Sequence, residues 1–276
     1  MKTFKELCVE LRKQDKSVIE IMKITGRPKT SIYQHIRDIP MSAKRMQQYR
    51  TASGKQIRKY ALARKGKSAR PFHSFGTWTP EMVLLIGHLI FDGEILKAKC
   101  SYNNRSEALL NRVEKLMREV YDYEPARYLN RFTGVRRIGY YNVAISNYLQ
   151  KKAKQLLGRI RQLPIEMKRE FVRAFFDDEG CMDFRPKTNH RKVRGYQKNV
   201  LILKLIQTLL QDFNITARVV APNEVIIVGK ENLVRFEKEI NFSFSVCVNG
   251  NRTNSRWKKH FEKRQILRLA IESFKN

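Results

Sequence analysis

Apolar residues recur at helical spacing in three short stretches at the start of the chain. From residue 79 onward longer helical stretches alternate with strand-like runs. In the first forty residues Phe4, Leu7, Cys8 and Leu11 mark one helix. Ser17 can cap a second over 18–25, with Ile19, Met22 and Ile24 turned inward. Gly26 supplies the corner, where positive φ is needed. Pro28 opens a third helix, with Ile32 and Ile36 inward and Lys29, Thr30, Ser31, Tyr33, Gln34 and Arg37 outward. Residues 1–40 therefore read as a helix-turn-helix, whose third helix presents polar groups suited to base edges and phosphates.

Residues 41–79 carry ten basic side chains and no acidic one. This stretch reads as a basic linker along a phosphate backbone, with a helix over 56–64 and Lys55, Arg58 and Lys59 as contacts. Beyond it, one element order occurs twice. The first half (80–164) predicts a helix over 80–91, strand material over 94–103 and a helix over 106–120. Strands over 126–132 and 136–144 follow, then a helix over 147–157. The second half (165–276) predicts a helix over 166–178, strand material over 181–196 and a helix over 199–213. It continues with strands over 216–221 and 224–228, a helix over 230–240 and a last helix over 256–274. The pattern predicts an α+β fold in which two αββαββα repeats with curved antiparallel sheets are related by a pseudo-twofold axis, preceded by a small all-α domain.

Charge sharpens this picture. Lys and Arg number 56 against 26 Asp and Glu, a net charge of +30. A field of that sign and size favours a polyanion. No apolar run is long enough to span a bilayer, and the first residues lack the apolar core of a signal peptide, so a cytoplasmic protein is expected. The four cysteines (Cys8, Cys100, Cys181, Cys247) lack zinc-site spacing and read as buried small hydrophobes in a reducing setting.

Each half opens with an apolar helix that ends in an acid and a glycine, LLIGHLIFDG at 84–93 and EFVRAFFDDEG at 170–180. Gly87 and Ala174 stand where small side chains allow two helices to approach closely. Asp92 and Glu179 would then meet at helix C-termini, where the dipole disfavours acids and like charges repel. A hard divalent cation relieves both. His88, inside the first motif, reads as a packed or interface residue.

The paired motifs resemble those of the LAGLIDADG homing endonucleases in their monomeric, two-repeat form. In nine-letter register the first copy is Leu85 to Gly93 and the second Val172 to Gly180. The first departs from the family pattern at Ile90 and Phe91. The resemblance implies that Asp92 and Glu179 bind Mg²⁺ or Mn²⁺, one acid for each strand of double-stranded DNA. It also implies that Asn104 and Gln197 position water while Arg105 and Lys198 offset charge at the scissile phosphate. The sheets would face DNA with Arg127, Arg131, Arg136 and Arg137 in one half and Arg185, Lys187, Arg191, Lys192 and Arg194 in the other. Arg252 in the loop 248–256 is a further contact. Which of these read bases and which meet phosphates stays open. The expected activity is Mg-dependent, site-specific cleavage of both strands by a monomer. Two alternatives remain: a DNA-binding regulator of the same fold that does not cut, and a maturase that binds intron RNA.

Overall fold

The computed structural model describes residues 2–64, 70–248, 257 and 261–274. The chain divides into two compact units, Met1–Ser68 and Ala69–Asn276.

The first unit is helical. Helices α1 (Phe4–Lys13) and α2 (Val18–Thr25) each begin with a capping box, Thr3 with Glu6 and Ser17 with Glu20. Gly26 ends α2 at φ +65°, and Pro28 precedes α3 (Lys29–Ile36). Cys8, Ile21, Ile32 and Ile36 form the core. Ile21 is therefore the fully buried residue of α2 and Met22, expected inside, packs partly buried against this core, whereas Ile19 and Ile24, also expected inside, are exposed. In α3, Lys29, Thr30, Tyr33, Gln34 and Arg37 are exposed and Ser31 is half-buried.

Much of the expected linker is helix α4 (Ala43–Arg64), far longer than the stretch anticipated. Ser42 accepts the Arg45 N–H at its start, and no proline follows before Arg64. Among residues 43–64, Ala, Gln, Lys and Arg predominate, and these residue types favour helix. Arg45 reaches Glu20 at 2.7 Å, and Asp15 accepts the Ser42 N–H at 2.7 Å, tying α4 to the three helices. Lys55, Arg58 and Lys59 are solvent-facing.

The second unit repeats one element order. The first repeat runs α5 (Pro80–Phe91), β1 (Gly93–Leu96), β2 (Lys99–Asn104), α6 (Glu107–Arg118), β3 (Ala126–Leu129), β4 (Arg136–Tyr140) and α7 (Val143–Arg159). The second runs α8 (Ile165–Glu179), β5 (Gly180–Arg185), β6 (His190–Tyr196), α9 (Val200–Gln211), β7 (Ala217–Val220), β8 (Glu224–Val228) and α10 (Lys230–Glu239). Helix α11 (Lys263–Glu272) follows. The sheets are antiparallel, ordered β1-β2-β4-β3 and β5-β6-β8-β7. This is the α+β architecture anticipated, twice αββαββα. Strand β4 stops at Tyr140 because Asn142 caps α7 through the Ala144 and Ile145 N–H groups, so α7 starts earlier than the pattern predicted. Helix α11 starts at Lys263, capped by Glu262, later than the expected start at 256; of the expected helix, 256 and 258–260 lie outside the described residues.

Helices α5 and α8 cross at the centre of one continuous core. A Cβ on Gly87 would lie 2.8 Å from the Ala174 Cβ, so the crossing distance depends on that pair of small residues. Phe91 packs its ring against Phe171 and Phe175 beside it. Cys8 and Cys100 are buried, whereas Cys181 and Cys247 are exposed, so only two cysteines behave as small core hydrophobes. Among the described residues no helix is long and apolar enough to cross a membrane.

Candidate active site and nucleic-acid interface

Thr79 caps α5 by accepting the Met82 N–H, and Pro80 takes the first helical position. Asp92 is the C-cap of α5, and Glu179 is the last residue of α8. Each is followed by glycine for a steric reason. A Cβ at Gly93 would sit 2.3 Å from the Leu89 carbonyl oxygen, and one at Gly180 would sit 2.4 Å from that of Phe176. Only glycine lets the chain leave the helix directly into a strand.

Sheet register aligns the two repeats residue by residue. Gly93 pairs with Tyr102, and Gly180 pairs with Gly195. Two positions further on stand Asn104 and Gln197. The Asn104 amide donates to Asp92 at 2.7 Å, and the Gln197 amide donates to Glu179 at 3.2 Å. Sequence had grouped these four residues, and the fold brings each amide onto its own carboxylate. Arg105 and Lys198, also grouped with them, behave differently. The Arg105 guanidinium donates to the Thr133 carbonyl at 3.0 Å, and Lys198 is exposed.

Both carboxyls resist ionisation. Burial pushes Asp92 up to about 8, reinforced by the charges of Asp178 and Glu179 and opposed by Lys263 and Asn104. Burial also pushes Glu179 up to about 7, reinforced by Asp178 and opposed by Lys263. The pair loses its protons in steps, and the second carboxyl ionises against the charge of the first.

Four participants had no sequence signal as a group. The Asp178 side chain is fully buried and accepts the Tyr102 O–H at 2.5 Å. His88 Nδ1 lies 2.9 Å from the other Asp178 oxygen. Lys263, on α11, is buried and donates to the carbonyls of Asp177 (2.6 Å) and Phe176 (3.3 Å) at the end of α8. There it answers the negative end of the helix dipole.

Strand alternation sorts the arginines. On the first sheet Asn103, Arg137 and Tyr128 share the face turned away from the helices, in cross-strand register. Arg127 and Arg136 point to the other face and pair with Glu114 and Glu107 of α6. On the second sheet Arg185, Lys192 and Arg194 share the outward face with Arg218, which sequence reading had passed over. Arg194 is held by Glu224 and Asp183, and Arg185 by Asp183. Arg191 points to the helix side, where it donates to Ser273 at 2.6 Å and lies over the Phe274 ring. Arg131 and Lys187 are exposed at the tips of the two hairpins. Arg252 and the rest of 249–256 lie outside the described residues.

Residues 166–241 match the LAGLIDADG-like domain family. The second repeat is a LAGLIDADG-like domain. Its match covers the second motif, both hairpins, the helix α9 between them and the helix α10 that follows. Among solved structures, I-DmoI in complex with DNA and Mn is similar at 17% identity, covering 58% of this chain and 96% of that chain, with a TM-score of 0.45. The N-terminal LAGLIDADG domain of DUF199/WhiA is similar at 16% identity, covering 62% of this chain and 88% of that one, at 0.46. For full-length DUF199/WhiA from Thermatoga maritima the identity is 17%, the coverage 63% and 59%, and the TM-score 0.45. No curated protein matches the chain.

Proposed function

We propose that this protein is a site-specific endonuclease that cuts both strands of duplex DNA, with divalent cations held by Asp92 and Glu179. The observation that carries this reading is the seam itself. Two half-buried carboxyls end crossed helices, each is gripped by one amide, and each is pushed toward neutrality by burial and by charges of its own sign. That arrangement is costly for an apo protein unless a cation takes up the charge.

Oxygen donors of this kind suit Mg²⁺ or Mn²⁺. Among the described residues no three His, Cys, Asp or Glu side chains form an ion cage. Two carboxylates per seam leave coordination positions for phosphate and water. When bound, the metal supplies positive charge at the scissile phosphate and a more acidic water. The chain's own groups do the rest. Asn104 and Gln197 fix the oxygens of Asp92 and Glu179, and Lys263 offsets part of their charge. Arg105 and Lys198 stand at the strand ends next to these amides, in reach of a backbone laid across the seam. Arg137, Asn103 and Tyr128 on one sheet, and Arg185, Lys192, Arg194 and Arg218 on the other, line the faces offered to the duplex. Lys187 and Arg131 extend those faces at the hairpin tips. In the N-terminal unit the outward residues of α3 (Lys29, Thr30, Ser31, Tyr33, Gln34, Arg37) form a recognition-helix surface, and α4 adds phosphate contacts.

A DNA-binding protein that does not cut is the second reading. Lys263 favours it, since a buried ammonium beside both acids supplies some of the charge a cation would bring.

Selection from a randomised duplex library, with Mg²⁺ or with chelator, decides between them. Cutting is expected only with Mg²⁺. Asp92→Asn and Glu179→Gln should each lower double-strand cutting by roughly a thousandfold with binding kept, beyond the roughly 10–100-fold typical of losing a supporting residue. Recovery of bound but never cut duplexes supports the second reading.

A further inference from the structure

The two carboxylates are braced differently, and the difference lies in side chains that no symmetry relates. Register equates Tyr102 with Gly195, and the motifs equate His88 with Phe175 and Phe91 with Asp178. In the second repeat the space is apolar: a Cβ on Gly195 would come 2.3 Å from the Phe175 ring. In the first repeat the same space holds polar groups. The Tyr102 hydroxyl donates to Asp178 and accepts from the Asn104 amide at 3.2 Å. The other Asn104 N–H goes to Asp92, and its carbonyl accepts the Ser106 N–H at 2.8 Å. Every hydrogen-bonding group of the Asn104 amide is thus assigned, and its orientation is fixed.

We infer that Asp178, Tyr102 and His88 form a positioning bridge across the seam between the repeats, which sets Asn104 and through it Asp92. An acid of the second repeat therefore holds the carboxylate of the first. Among the described residues Glu179 has no such device: its amide partner Gln197 donates to no buried hydroxyl, and Lys263 holds the end of α8 through the Phe176 and Asp177 carbonyls. His88 closes the far end of the bridge by occupying the second Asp178 oxygen, so Asp178 cannot rotate away from Tyr102. The consequence is that the DNA strand served by Asp92 depends on the bridge, whereas the strand served by Glu179 does not.

This inference rests on the endonuclease reading, and its test separates the two. The full chain is titrated with Mn²⁺ by calorimetry without DNA. It is then assayed on strand-specific end-labelled duplex recovered from the randomised library. The Asp92 strand is defined as the one whose cutting Asp92→Asn removes. Tyr102→Phe keeps the ring and removes one oxygen. It should weaken Mn²⁺ binding about tenfold, as loss of an outer partner does, and slow the Asp92 strand about tenfold relative to the other. Gln197→Ala should tilt the strand ratio the opposite way. A general loss of packing would slow both strands together. Tyr102→Phe with wild-type Mn²⁺ affinity and an unchanged strand ratio overturns the inference. If the wild type neither binds Mn²⁺ nor cuts, the endonuclease reading fails, and thermal unfolding then judges the bridge. In that case the Tm losses of Tyr102→Phe and Asp178→Asn should combine to clearly less than their sum, and additive losses overturn it.

Discussion

The two repeats share a backbone plan and diverge in the side chains around their motif acids. In the first, the space behind the motif acid is filled by a tyrosine, a histidine and a borrowed aspartate. In the second, phenylalanines fill it, and a lysine from α11 holds the helix end. Duplication preserved what the backbone requires: a small residue at the crossing, an acid at the helix end, a glycine after it, an amide two residues past the strand partner. It did not preserve how the acid is held. The lesson is that backbone pseudo-symmetry does not imply equal halves. A side chain that crosses the seam removes the equivalence without moving a single strand.

The shared crossing is the place to break both halves at once. Gly87→Val puts a branched side chain where even a Cβ would lie 2.8 Å from Ala174. Overpacking of this kind costs about 3 kcal/mol. Thermal unfolding should show one lowered transition for the second unit, because the same core runs through both repeats. Gly158 on α7 serves as the control, since nothing lies within reach of an added Cβ there. Gly158→Ala should stabilise by about 0.5–1 kcal/mol through helix propensity.

The second comparison is between the acids themselves, and pH sharpens it. In the metal-free chain the Asp92 carboxyl is raised from an ordinary 3.8 to about 8, and Glu179 from 4.5 to about 7. Between those limits the folded chain holds protons that the unfolded chain has lost. Stability contributed by these groups is therefore full below pH 4 and falls as pH rises through 7 and 8. Asp92→Asn should raise metal-free stability at pH 8 by at least about 1 kcal/mol and do nothing at pH 4. On the proposed function Mn²⁺ displaces those protons, so its apparent affinity should climb from pH 6 to pH 8.5 by up to about tenfold per unit for each proton released. Denaturation and calorimetry across this range check both. Lys263→Met removes the charge that opposes the shift and should move the affinity curve to higher pH.

Local pattern was enough for the elements that repeat. Helical spacing and the two acid–glycine stops marked α5, α6, α8 and α9, and the family resemblance singled out the two amides. It failed where partners lie far apart in the chain. His88 meets Asp178 across 90 residues, and Lys263 reaches the Asp177 carbonyl across 86. No window around either residue contains its partner. In α2, Ile19, Ile21 and Ile24 all compete for one narrow core, and spacing within eight residues did not select Ile21. Among the arginines the limit was register. A one-residue shift flips a side chain to the opposite face, so the choice between Arg136 and Arg137 waited on which residues they face across the sheet.

That neighbouring pair offers the finest test of what the two faces do. Arg137 points away from the helices and donates to Asn103 at 2.5 Å, whereas Arg136 is paired with Glu107 on α6. An arginine meeting phosphate contributes about one unit to the slope of log affinity against log salt, and one reading guanine contributes about 1–3 kcal/mol of discrimination. Arg137→Ala should therefore weaken duplex binding several-fold, with either a shallower salt slope or a relaxed preference at one base position. Arg136→Ala should leave both the slope and the preference unchanged. Its cost falls on folding, at no more than about 1 kcal/mol, because the ion pair it breaks is largely exposed. Salt-dependent binding isotherms for the two variants, set against their unfolding curves, separate a residue that faces DNA from one that braces the sheet. Equal losses of affinity in both would mean that the field of the whole basic surface, rather than the outward face of the sheet, dominates binding.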